Sequence, residues 1–190
     1  MTAGLILAAG ESRRMGSPKA LLPYRGETFL DRLTGLFALH CDPVIVVLGA
    51  SAEEIRNSVR GPATFVVNHG WGRGQTSSLQ CGLAAVPAEA EGVLLTLVDH
   101  PAVDAGTIEA LLANSEPLIR IPRYHGRRGH PIWFSRRLIP EFLAVHEPRT
   151  AKDVVHAHRA ETAFLELDDP GIVADIDDPA AYRALVEAAV

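Results

Sequence analysis

Short apolar runs alternate along this chain with longer stretches in which apolar residues recur every three or four positions. Val44-Ile45-Val46-Val47-Leu48 and Val93-Leu94-Leu95-Thr96-Leu97-Val98 are almost unbroken, as in strands covered on both faces of a parallel sheet. The pattern predicts strands at 4–9, 43–49, 63–67, 93–98, 118–124, 130–134 and 163–167, with a short one near 172–176. Helices are expected at 28–40, 52–59, 76–86, 105–114, 136–144, 150–158 and 179–189. Thr28 with Asp31 and Ser51 with Glu54 have capping-box spacing, and Asp178-Pro179 sets a good cap before a proline at the first helical position. Strands and helices in this order predict a three-layer α/β/α fold, Rossmann-like and doubly wound, with a mostly parallel sheet.

A length of 190 residues suits a single domain, 1–190, with a well-buried core. Hydrophobic residues make up 47% and charged residues 22%, the balance of a soluble globular protein. No stretch approaches the ~20 apolar residues of a membrane span. Met1-Thr2-Ala3-Gly4 carries no basic region and runs directly into a strand, so no secretory signal is read and a cytoplasmic setting is expected. Cys41 and Cys81 are far apart and lack CxxC spacing, which fits free thiols in a reducing compartment. A net charge of −5 argues against general nucleic-acid binding. Charge is nevertheless segregated: residues 118–140 hold six arginines and no acid, and 160–182 hold seven acids and no lysine or arginine. The basic segment suits an anionic substrate and reads as a short hairpin beside the main sheet, and the acidic one could help hold a divalent cation. Solvated faces are the plainer alternative for both.

The densest chemistry lies at the start, in Leu5-Ile6-Leu7-Ala8-Ala9-Gly10-Glu11-Ser12-Arg13-Arg14-Met15-Gly16-Ser17-Pro18-Lys19. A buried strand ends in small residues, Gly10 permits positive φ and leaves no Cβ against a ligand, and three cations follow. Exposed backbone amides with arginine and lysine around them can cradle a polyphosphate. Neither the Walker A pattern nor the dinucleotide fingerprint G-x-G-x-x-G is present. Val98-Asp99-His100-Pro101 places a carboxylate at the end of a strand, where open parallel sheets bind ligands. Taken alone, Asp99 reads equally as a Mg²⁺ ligand or as a turn cap. Asn68 to Leu79 joins three glycines to the start of a helix whose hydroxyls and amides could bind an anion or read a base edge.

The opening segment resembles the signature L-A-[AG]-G-x-x-x-R-M-G-x-x-K of the MobA-like NTP transferases, met by Leu7, Ala8, Ala9, Gly10, Arg14, Met15, Gly16 and Lys19. Val98-Asp99-His100-Pro101 resembles the V-D-x-P motif, which implies a metal role for Asp99. Asp175-Ile176-Asp177-Asp178-Pro179 resembles the C-terminal [DN]-[IV]-[DN]-T-P motif, implying Asp177 as the second ligand, with Asp175 in reserve and Asp178 spent as the helix cap. The 68–79 stretch is similar to the base and ribose segment of the cofactor cytidylyltransferases, implying nucleotide contacts from Asn68 and Ser78 and a packing role for Trp71. Gly129-His130-Pro131 resembles a G-H-P motif near the second substrate, implying positioning by His130, with Arg127 beside it.

The resemblance implies transfer of CMP from CTP to the phosphate of a molybdopterin-type acceptor, with Mg²⁺ as cofactor and a molybdoenzyme as a later partner. Arg14 and Lys19 would stabilise the triphosphate with help from Arg13, and the loop amides near Gly10 would hold the β- and γ-phosphates. Ala9 stands where the guanylyl branch usually has glycine, which favours CTP over GTP. Residues 147–153 depart from the G-D-x-G-A-R stretch that often follows G-H-P in the cofactor cytidylyltransferases, which leaves the acceptor open. Alternatives are a GTP-using or sugar-phosphate nucleotidyltransferase, a non-catalytic cofactor carrier, and a reductase, the last at odds with the missing dinucleotide fingerprint.

Overall fold

The computed structural model describes residues 1–113 and 116–189. Ten strands are defined in it: β1 Thr2–Ala8, β2 Pro23–Tyr24, β3 Glu27–Thr28, β4 Val44–Leu48, β5 Thr64–Val67, β6 Gly92–Leu97, β7 Ile119–Tyr124, β8 Arg127–Arg128, β9 Ile132–Ser135 and β10 Thr162–Glu166. The main sheet runs β10-β7-β9-β6-β1-β4-β5, with β8 paired to β7 off this path. Strand β1 pairs in parallel with both β4 and β6, while β9 runs antiparallel between β6 and β7. A mostly parallel sheet is therefore observed, as the long apolar runs predict.

Side chains alternate along β1 and divide the core in two. Ile6 and Ala8 join a cluster with Phe29, Leu30, Leu33 and Phe37 of α1 (Phe29–Ala38). Leu5, Leu7 and Ala9 join another with Leu79 and Leu83 of α3 (Gln75–Leu83) and Phe142 of α5 (Ile139–Leu143). Two apolar faces of one sheet, each sealed by helices, make the three layers. The remaining helices are α2 Ala52–Ser58, α4 Ala105–Leu112, α6 Ala151–Ala157 and α7 Pro179–Glu187. The last position of the helix expected at 105–114 lies outside the described residues.

Caps follow their chemistry unevenly. Thr28 accepts from the Asp31 amide at 3.0 Å, and Asp178 accepts from the amides of Ala180 and Ala181 at 2.9 Å. Ser51 does not cap α2; it adopts φ 57° and its side chain makes no capping bond. The reciprocal capping box lies instead at Thr150 and Asp153 of α6.

Two expectations need correction. The strand expected near 172–176 is a 3₁₀ turn, Pro170–Val173, followed by an extended segment. Asp169, only 5% exposed, accepts from Gly171 N, Asp104 N and Thr107 Oγ1, so the turn is anchored by side-chain bonds rather than by a neighbouring strand. Ile176 N donates to Asp99 O at 3.0 Å, which lays the segment across the carboxyl end of β6. Second, the arginine-rich region is largely in the main sheet as β7 and β9, and only the turn through β8 projects as a hairpin. Nor is it a uniform basic face. Arg120 is 2% exposed, stacked over Trp133 and bonded to the Leu111 carbonyl, while Arg123 lies over Phe164.

Candidate active site

The loop after β1 forms the floor of a cleft of about 450 Å³. Gly10 does not take positive φ here; the left-handed residues are Ser12 at 54° and Gly16 at 74°. A Cβ at Gly10 would meet no protein atom within 4 Å, so the residue borders the open space of the cleft. Ser12 organises the turn. Its carbonyl accepts from Met15 N and Gly16 N, and its Oγ accepts from Lys19 N at 3.0 Å.

Lys19 then reaches back across the cleft. Its Nζ donates to Asp177 Oδ1 at 2.6 Å and to Asp99 Oδ2 at 3.3 Å, and Arg14 Nη2 donates to Asp177 Oδ2 at 2.7 Å. Residues separated by 163 and 158 positions, Arg14 and Lys19 from Asp177, thus meet at the ends of β1 and β6. Lys19 is 11% exposed and Arg14 69%, so the lysine works in the lower dielectric. The Lys19 ammonium, with Arg14 beside it, holds the Asp177 carboxyl below its ordinary range. Partial burial, with Asp99 and Asp177 close by, pushes Asp175 above that range. Arg13 pairs with Glu11 at 2.6 Å, and both are exposed at the edge of the cleft.

Leu7, Ala8, Ala9, Gly10, Arg13, Arg14, Lys19, Ser78, Asp99 and Asp177 all line this cleft. Asn68 does not. It is 6% exposed, and its Nδ2 donates to Ser77 Oγ at 3.0 Å and Ser78 Oγ at 3.1 Å. Asn68 therefore positions the start of α3 from behind. Ser77 donates to the Gly70 and Gly74 carbonyls, which leaves Ser78 as the hydroxyl on the cleft wall.

A larger cavity of about 860 Å³ adjoins the cleft and shares Leu7, Gly74, Gln75 and Leu97 with it. Arg127, Arg128, His130, Lys152 and Arg159 bring cationic or imidazole groups to its walls, and His100 and Asp175 lie at its junction with Asp99. His100 occupies the variable position of the V-D-x-P motif, and its spatial neighbours His130 and Asp175 come from distant segments.

Gly129 fixes the G-H-P turn. A Cβ there would strike the Ile172 carbonyl, and His130 N already donates to that oxygen at 3.0 Å. Gly129→Ala is expected to lower stability by about 1–3 kcal/mol, measurable as a lower denaturant midpoint with an unchanged slope.

The rings of His100 and His130 lie 5.0 Å apart. Burial, reinforced by His100, pulls the His130 imidazole down to about 4, and burial lowers His100 too. A lowered imidazole binds protons later in the folded chain than in the unfolded one, so stability falls as pH drops from about 6.5 towards 4. His158 has the opposite sign: bonds to Glu161 and Glu141, each 2.8 Å, raise it, so its contribution is full below 6.5 and fades at higher pH. Thermal melts of His130→Asn are expected to lose much of the wild-type decline between pH 6.5 and 4.

Comparison with known proteins agrees with this architecture. A family model described as MobA-like NTP transferase domain matches residues 4–162. The chain is similar to the nicotine blue oxidoreductase of Paenarthrobacter nicotinovorans, 37% identical over 148 residues and 72% of each chain. It is similar to purine catabolism protein PucB of Bacillus subtilis, 30% identical over 94% of this chain and 93% of that one. It also resembles the molybdenum cofactor cytidylyltransferase of Escherichia coli, 28% identical over 92% and 90%. Among solved structures, Rv0371c of Mycobacterium tuberculosis superposes with a TM-score of 0.87 at 33% identity, covering 98% of this chain and 97% of that one. A manganese complex of Rv0371c superposes at 0.82 and 31%, covering 98% of each.

Proposed function

Since the chain belongs to the MobA-like NTP transferase family, and is a nucleotidyltransferase enzyme of that kind, we propose that it transfers CMP from CTP to the phosphate of a molybdopterin-type acceptor, releasing pyrophosphate. The observation that carries this reading is Lys19 Nζ set between Asp99 and Asp177, with Arg14 on the same carboxylate, at the mouth of the β1 loop.

The residues present fit a divalent cation. Asp99 Oδ1 is buried without a hydrogen-bond partner, and hard carboxylate oxygens suit Mg²⁺. Asp99 and Asp177 would hold it. When bound, the ion neutralises charge developing on the α-phosphate. The protein's own groups do the rest. Triphosphate entering the cleft competes with Asp177 for Arg14 and Lys19, because both cations favour the denser phosphate charge. Arg14 and Lys19 then orient the β- and γ-phosphates as a leaving group, and Ser78 with the α3 N-terminus faces the nucleoside.

The acceptor lies in the larger cavity, steered by Arg127 with His130 positioning it. A phosphate monoester there is mostly dianionic at neutral pH, its second pKa being about 6, so attack on the α-phosphorus needs no general base. No helix among the described residues is long and apolar enough to cross a membrane. We place the enzyme in the cytoplasm, where a molybdoenzyme would receive its product.

Preference for CTP rests on Ala9. Its methyl packs close to Gly49 on the wall of the cleft, where it would leave less room for a purine than a glycine would. Ala9→Gly is expected to raise kcat/KM for GTP relative to CTP by about tenfold, a difference of ~1.4 kcal/mol at the transition state. The direct test measures pyrophosphate release with Mg²⁺, metal-loaded molybdopterin and CTP, GTP, ATP or UTP in turn. Release with CTP is expected; silence with all four would overturn the reading. The oxidoreductase name of one relative makes nicotinamide-cofactor oxidation the control to run alongside.

A further inference from the structure

We propose that the hydroxyl of Tyr182 is a positioning group for the cleft: through the Pro23 carbonyl it holds the Asp177 segment in place while a bound triphosphate occupies Arg14 and Lys19. The proposal deepens the nucleotide reading of the cleft and rests on it. Tyr182 lies on α7 and is not among the residues lining the cleft. Its O–H donates to the Pro23 carbonyl at 2.7 Å, across 159 positions of sequence.

Two short pieces of chain are thereby tied twice. One runs from Lys19 through the 3₁₀ turn Lys19–Leu21 to Pro23 of β2. The other runs from Asp177 through the cap residue Asp178 into α7 as far as Tyr182. The inner tie is ionic, Lys19 Nζ to Asp177 Oδ1 at 2.6 Å, and the outer tie is the Tyr182 hydroxyl on Pro23. Two backbone segments and two side-chain bonds close a ring.

The inner tie is the one that substrate breaks. Phosphate oxygens compete for Lys19 and Arg14, and once they win, the Asp177 carboxylate has lost both cations that held it. The helix alone is a poor anchor: none of the nine residues of α7 is buried, and a helix that short is marginal without tertiary contacts. Those contacts meet at one corner of the fold. Partly buried Ala181, Tyr182 and Leu185 rest on the core, and the Tyr182 ring meets buried Phe29 edge-on with centroids 6.0 Å apart. Phe29 in turn packs on Tyr24 of β2, 6.3 Å away. Apolar contact is non-directional and tolerates sliding, whereas the hydrogen bond fixes where α7 sits along that corner. While the inner tie is closed the outer one is redundant, and its effect is confined to the state in which the cations are taken.

The test is hydrogen exchange, followed by NMR, at the Ile176 amide, which donates to Asp99 O at 3.0 Å beside Asp177. Tyr182→Phe keeps the ring and removes only the hydroxyl, and the probe is metal-free inorganic tripolyphosphate. Without the anion, exchange in Tyr182→Phe should match the wild type. With it, exchange should be about fivefold faster than in the wild type, as loss of one neutral hydrogen bond predicts. In Asp177→Ala the inner tie is already gone, so adding Tyr182→Phe should speed exchange by a similar factor with no anion present. Fast exchange in Tyr182→Phe without the anion would make the bond a general brace of the fold and overturn the proposal. So would wild-type exchange in that variant with the anion bound. Tripolyphosphate that does not bind the wild-type chain overturns the phosphate reading of the loop and the role of Tyr182 with it. The expected exchange pattern without pyrophosphate release from any nucleotide would uphold the role of Tyr182 and count against the transferase reading alone.

Discussion

Asp99→Asn is expected to lower kcat by about a thousandfold or more, roughly 4 kcal/mol of transition-state stabilisation, while leaving the fold intact. The substitution keeps the shape of the side chain and removes one negative charge. Because Asp99 is only 19% exposed, that charge acts at short range through little solvent. Backbone contacts at this position survive, including the bond from Ile176 N to Asp99 O, so the C-terminal segment should stay in register. The check pairs pyrophosphate release with a thermal melt. A variant that melts near the wild-type temperature and turns over at an undiminished rate would remove Asp99 from the chemistry.

Lys19→Met should come next in size, with a loss of about a hundredfold or more in kcat/KM. The lysine is the less exposed of the two cations and, among the described residues, the group that touches both aspartates. Its loss leaves two carboxylates facing each other with only Arg14 near, and removes a charge-assisted contact to the leaving phosphates. Arg14→Met is expected to cost less, about tenfold, since Arg14 is 69% exposed and bulk water screens what it supplies. The decisive comparison is the ratio of the two losses measured under the same conditions. An arginine variant more damaged than the lysine variant would reverse the assignment of the principal phosphate group. Lys19→Arg should not rescue fully, because the fork is larger than the ammonium and the position is nearly enclosed.

The central sheet was legible because its strands are nearly unbroken apolar runs, and a run buried on both faces has few other uses. The convergence of the candidate residues on one cleft was foreshadowed for a similar reason. Arg14 and Lys19 are read directly from a contiguous motif, and Asp99 from the end of a strand in a fold that binds ligands there. The misreadings have local causes. Residues 172–176 have strand-like composition, but the neighbouring Asp169 holds a turn and the chain finds Asp99 O rather than a strand partner. Ser51 has the right spacing to cap α2 but a left-handed backbone, so its hydroxyl cannot reach the helix amides. Asn68 matches a nucleotide-contacting motif, yet it spends its amide on Ser77 and Ser78 and stands behind the cleft wall.

The sequence by itself determined the layers, the mostly parallel character of the sheet and the contiguous loop after β1 that carries Arg14 and Lys19. These are properties of local pattern: hydrophobic period, cap chemistry and contiguous motif. Tertiary structure alone decided which distant groups share a charge, which arginines are buried, and that His100 stands with Asp99 and Asp175. Such facts depend on strand order and on where a non-repetitive segment crosses the sheet. Spacing along the chain carries no record of either, because contacts between residues 80 or 158 positions apart are selected by packing of the whole core.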